Sequence, residues 1–196
     1  MQIQCIEKNW EDIIPADLVQ RLDNTPFLRR CRENTITREE LKTYLIQQYF
    51  YSRHFTRFLC ALLSNLPDEK ARLELTENLL EEIGFGAVKT TPHSEIYRQM
   101  MKKMGVEPQE SQVLSSTEAL VDTMYRLSRD PNPIVGLAAL CLGAEAIVPH
   151  IYSQVLVGFL GAGEPKENLT FFTIHIGCDD AHAETIHRYR TILESE

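Results

Sequence analysis

The amino-acid sequence predicts an all-α fold, a bundle of helices in one domain spanning residues 1–196. Three observations carry this prediction. Start and stop signals for helices recur along the chain, strand patterns are weak, and no repeat, low-complexity tract or linker divides the 196 residues. That length suits a single hydrophobic core.

Taken in order, a first helix is expected from about Ala16 to Arg32. Thr37, followed three residues on by Glu40, forms a capping box. It opens a long helix through Tyr44, Tyr49, Phe55 and Phe58 to about Leu66. Pro67 and Asp68 restart the chain, and Ala71 to Ile83 is helical until Gly84 and Gly86 stop it. Thr91 and Pro92 provide a cap and a first-turn proline for His93 to Met104, which Gly105 ends. Thr117 is expected to cap a helix reaching about Arg129. Asn132 and Pro133 open Ile134 to about Leu160, closed by Gly161 and Gly163, and a last helix runs from about Asn168 to Leu193. Seven helices with short connections make a bundle.

Composition narrows the function. With 43% hydrophobic and 24% charged residues, the chain is an ordered globular protein. A net charge of -8 argues against a nucleic-acid partner, which requires a basic face. The N-terminal MQIQCIEKNWED lacks a signal-peptide pattern. The most apolar run, Ile134 to Phe159, carries Glu145, Pro149 and His150 near its middle, so it reads as a buried core helix and no membrane partner is expected. Five cysteines (Cys5, Cys31, Cys60, Cys141, Cys178) with no CxxC spacing read as reduced thiols in a cytoplasmic protein. No Walker loop, GxGxxG, GxSxG or HExxH is present.

Three segments carry candidate chemistry. In HIGCDDAH of the last helix, His175, Asp179 and His182 fall at i, i+4 and i+7. At about 100° per residue they share one narrow stripe, whereas Cys178 lies about 60° off it. Two imidazoles and a carboxylate there suit a first-row divalent metal; a solvated polar face is the alternative. In the apolar run IVGLAALCLGAEAIVPHIY, Glu145 is the sole formal charge. A carboxylate buried alone is costly unless it is paired or ligates a cation, so metal ligation competes with an arginine partner or an exposed strip. His150, about 140° around an α-helix from Glu145, reads as a helix-surface or core-edge residue. In NLLEEIGFGAVKTTPHSEIY, Glu81 or Glu82 ends a helix and His93 begins the next. Together these give three carboxylates and three imidazoles, the donor mix of di-iron sites in helical bundles.

NLLEE followed by a loop histidine, a lone glutamate in an apolar helix, and HxxxDxxHA together resemble the heme-oxygenase-like di-iron oxidases and oxygenases. That family has para-aminobenzoate-forming, fatty-acid-decarboxylating and N-oxygenating branches. The resemblance covers about Asp23 to Arg190 and implies a seven-helix heme-oxygenase-like bundle. It implies Glu82, His93, Glu145, His175, Asp179 and His182 as ligands of two iron ions, with Glu81 as fallback for Glu82; manganese or a mixed pair has the same donor preferences. It also implies dioxygen activation, oxidation of a small substrate such as an amino acid, amine or fatty acid, and a homodimer.

The sequence departs from the para-aminobenzoate-forming branch, which consumes its own tyrosine and uses a nearby lysine. Phe27 and Val155 occupy the matching positions, and a phenyl ring has no phenolic oxygen to activate. Haem oxygenase itself needs an early proximal histidine, and the first here is His54. Tyr49, Arg53 and Arg57 on the long helix are candidate substrate contacts, with an aromatic core and a solvated basic face as the alternative. A metal-free thiaminase-II-like or pyrroloquinoline-quinone-synthase-like enzyme, and a partner-binding module, are the competing functions.

Overall fold

The computed structural model describes residues 14–85 and 91–177. These contain helices and connecting turns, and no strand among the described residues. The all-α bundle expected from the sequence is present among the described residues, with three of the expected helices interrupted.

The first expected helix is two: α1, Ala16–Asp23, and α2, Pro26–Arg32. Pro26 is the reason. Its ring keeps Thr25 out of the helical region (ψ 140°) and cannot donate the next helical hydrogen bond. The long helix divides likewise into α3, Arg38–Ser52, and α4, Phe55–Leu63. The capping box forms as expected, with Thr37 and Glu40 satisfying each other's backbone amides. No proline or glycine marks the break at Arg53 and His54. There the His54 ring meets Tyr125 (Nδ1 to Oη 3.0 Å) and stacks near Phe58, so tertiary contacts hold the interruption.

Helix α5, Glu69–Glu82, is capped by Asp68, which accepts from the amide of Ala71 at 2.7 Å. It ends in a Schellman motif: Phe85 N–H bonds Leu80 O and Gly84 N–H bonds Glu81 O, with Gly84 at φ 73°. Helix α6, His93–Lys103, starts with Pro92 itself at the cap position rather than inside the helix. Helix α7, Ser115–Ser128, begins before Thr117; that hydroxyl donates to Gln47 Oε1 at 2.7 Å instead of capping.

The penultimate expected helix departs most from the prediction. Asn132 caps α8, Pro133–Leu137, and α9 runs over Val148–Gly161. Between them Ala138–Ala146 is a wide π-helical segment. Pro149 has no N–H for the carbonyl of residue 145, and the chain upstream takes i→i+5 pairing, a feature often found at functional sites. By length and apolarity the run Pro133–Gly161 could cross a membrane, yet it places Leu137, Leu140, Tyr152, Val155 and Phe159 in the core. Helix α10 is described over Thr170–Gly177.

Two apolar clusters form. One joins α2, α3, α6, α9 and α10 through Leu28, Leu45, Tyr97, Met100, Val155 and Phe172. The other joins α4, α5, α7, α8 and the π segment through Phe58, Leu62, Leu75, Met124 and Leu140. Close approach of α9 to α2 requires Gly158, where an added Cβ would sit 2.8 Å from Cys31 Sγ.

Candidate metal centre

A cavity of about 120 Å³ opens where the two clusters meet. Tyr152, Phe171 and Val148 line it from one cluster, and Tyr51, Phe55 and Ala144 from the other.

Helices α6 and α10 build one wall in two rungs. Tyr97 and Phe171 pack edge-to-face with centroids 4.6 Å apart. One turn along each helix, His93 and His175 repeat the contact at 4.8 Å. His175 is buried, and its Nδ1 lies 2.8 Å from the carbonyl oxygen of Phe171. A carbonyl only accepts, so Nδ1 carries the proton and a neutral His175 presents its lone pair at Nε2. Glu82, the last residue of α5, places Oε1 2.8 Å from His93 Nδ1, and both side chains are nearly buried.

Donor atoms of Glu82, His93 and His175 all lie within 4.8 Å of one another. Metal–ligand bonds of about 2.0–2.2 Å allow two donors on one ion to stand up to about 4.4 Å apart. A few tenths of an ångström of side-chain adjustment would close the set around one cation. The residues fit a metal.

Glu145 lines the same cavity, at the end of the π segment. Burial first, and then the charge of Glu145, holds the Tyr51 phenol and the Cys141 thiol above their usual ranges. Tyr152 is buried against the cavity and accepts from Gln48 Nε2 at 2.9 Å.

The structure therefore brings four of the six candidate ligands to one cavity: Glu82, His93, Glu145 and His175. Asp179 and His182 lie outside the described residues, as does Cys178. Glu81 is exposed, whereas Glu82 lines the cavity. Of the substrate candidates, Arg53 lines the cavity; Tyr49 and Arg57 are not among its lining residues, and Arg57 is exposed. His150 lies away from the cavity lining, with Nε2 2.8 Å from Asp23 Oδ1. Sequence reasoning missed Gln48, Tyr152 and Phe171. The signal was present for Phe171, one turn before His175, and absent for Gln48, whose role depends on how α3 meets α9.

Residues 42–191 match the family described as iron-containing redox enzymes. The chain belongs to that family. It is an oxidoreductase-type enzyme. Among curated proteins, it is 29% identical to the 4-aminobenzoate synthase of Chlamydia trachomatis over 164 residues, 80% of this chain and 68% of that protein. It is 25% identical to the 4-aminobenzoate synthase of Chlamydia pneumoniae over 185 residues, 92% of this chain and 77% of the relative. A solved domain of unknown function with a heme oxygenase-like fold, from Shewanella denitrificans, superposes with a TM-score of 0.69 at 20% identity. That match covers 90% of this chain and 78% of the other, and it bears on the fold alone. Phe27 stacks on Tyr44 with ring centroids 4.8 Å apart, and Val155 is fully buried.

Proposed function

We propose that this chain is a non-haem di-iron oxidase or oxygenase that uses dioxygen to oxidise a small organic molecule supplied from outside. One observation carries the reading: three donors of the right types, Glu82, His93 and His175, converge within 4.8 Å on the wall of a cavity that Glu145 also lines. Membership of an iron-containing redox family supports it. Glu82, His93 and His175 would hold one ion; Glu145, with Asp179 and His182, would complete the set for a second. When bound, ferrous iron supplies the electrons that reduce dioxygen.

The protein's own part is to bind, orient and exclude water. The Phe171 carbonyl fixes the His175 tautomer and ring direction. Phe55, Val148 and Phe171 make the cavity wall apolar, which strengthens electrostatic interactions within it. Burial holds the Tyr51 and Tyr152 phenols above their usual range, so both stay neutral and would be able to donate a hydrogen bond to a molecule in the cavity they line. With Phe27 and Val155 in place of tyrosine and lysine, the chain has no self-derived substrate at those positions.

The test is metal analysis after anaerobic Fe(II) loading, followed by oxygen uptake. About two iron per chain and oxygen consumption abolished by Glu82→Ala or His175→Ala are expected. One iron per chain would limit the site to a mononuclear centre. Oxygen uptake undiminished in both variants would end the proposal.

A further inference from the structure

Two glutamates and one arginine are among the residues that line the cavity. The chain carries a net charge of -8, and Glu82 and Glu145 line the cavity. Arg53 is the one lysine or arginine among the described lining residues. Its guanidinium is held in place, 4.9 Å from the ring centroid of Phe50 and 5.8 Å from that of Tyr49. Arg57 stands one turn further on and is exposed. After burial, the charges of Arg53 and Arg57 are what depress the His54 imidazole, and Glu110 opposes them.

Arg53 already holds a carboxylate. Nη1 donates to Glu110 Oε1 at 2.5 Å and Nη2 to Oε2 at 3.0 Å, a two-pronged grip that matches a planar carboxylate. Glu110 comes from a separate short turn, Glu110–Gln112, whose capping box uses Gln109 and Gln112. The Glu110 side chain is 74% exposed and does not line the cavity. Ion pairs this exposed are weakly held and exchange readily.

We infer that the substrate is a small monocarboxylic acid, whose carboxylate takes the Arg53 guanidinium in exchange for Glu110 while its apolar body lies against Phe55, Val148 and Phe171. The inference rests on the redox reading of the same cavity and deepens it. An amine meets like charge at Arg53, and an amide cannot fill both prongs.

Isothermal titration calorimetry tests this on metal-free protein and on anaerobic Fe(II)-loaded protein, with hexanoate, phenylacetate, hexanamide and hexylamine as probes. At least one acid should bind both forms, more tightly than amide or amine. Arg53→Gln should weaken that binding roughly tenfold or more, with partial recovery in Arg53→Lys. Glu110→Ala removes the internal competitor and should tighten it by about two- to fivefold. It also keeps the inference testable if Arg53→Gln folds poorly. Four results would overturn the inference: neither acid binding, amine or amide binding as tightly, Glu110→Ala leaving affinity unchanged, or Arg53→Gln binding acid undiminished. Acid bound only by the loaded protein and unaffected in Arg53→Gln would place the carboxylate on the metal instead. Failure of the redox reading looks different: iron and oxygen uptake would be missing while acid still bound the metal-free protein through Arg53.

Discussion

Glu81 and Glu82 are neighbours with the same chemistry, and the helix gives them different surroundings. At the last turn of α5 Glu81 is exposed and Glu82 lines the cavity, where it meets His93. Glu82→Ala should therefore lower iron affinity by at least about tenfold, with Glu81→Ala close to wild type. Competition with a ferrous chelator measures both. At this scale part of the candidate site is readable from the chain: an acid pair before a loop histidine, a lone glutamate in an apolar run and the His175 stripe point to it, while the choice of Glu82 over Glu81 comes from the family resemblance. The Gln48–Tyr152 hydrogen bond is not readable, because the two residues lie 104 apart in sequence and only packing joins them.

Helix boundaries followed local chemistry where local chemistry was strong. The Thr37 capping box forms, and Thr37→Ala should cost about 1 kcal/mol in chemical denaturation. Pro26 announces its break in the sequence, whereas the interruption at Arg53 and His54 is imposed by Tyr125 and Phe58 from across the bundle. The π segment is legible in hindsight from Pro149, but a periodicity of 3.6 cannot register it. Packing sets its own limits. A methyl group at Gly158 would lie 3.0 Å or less from both Sγ and Cβ of Cys31 and 3.2 Å from its Cα. Backbone must move, so Gly158→Ala should destabilise by about 1–3 kcal/mol, read from the shift in denaturation midpoint.

At the scale of the molecule, recurring helix start and stop signals predicted the bundle but not that the described core divides into two clusters with the cavity between them; that division depends on which helices pair. One long-range tie joins α1 to α9. Asp23 at the end of α1 accepts from His150 and Gln154 of α9, each at 2.8 Å, beside Arg32. Burial alone would raise the Asp23 carboxyl, but those hydrogen bonds and charges outweigh it and hold the group below its usual 3.8. A depressed carboxyl stabilises the folded state above the unfolded value, and this contribution is lost as pH falls below about 3.8 through the folded value. Asp23→Asn should thus be less stable at neutral pH and lose less stability on acidification, measured by denaturant melts between pH 6 and pH 3.

The meeting of Glu82 and His93 is also a meeting of two helix ends. The carbonyl end of α5 and the amide end of α6 each behave as about half an elementary charge, of opposite sign. Brought together at the candidate metal centre, these backbone fields largely offset one another. Attraction for a metal there must come from ionised side chains, so a neutral, isosteric Glu82→Gln should be nearly as damaging to iron binding as removing the side chain altogether.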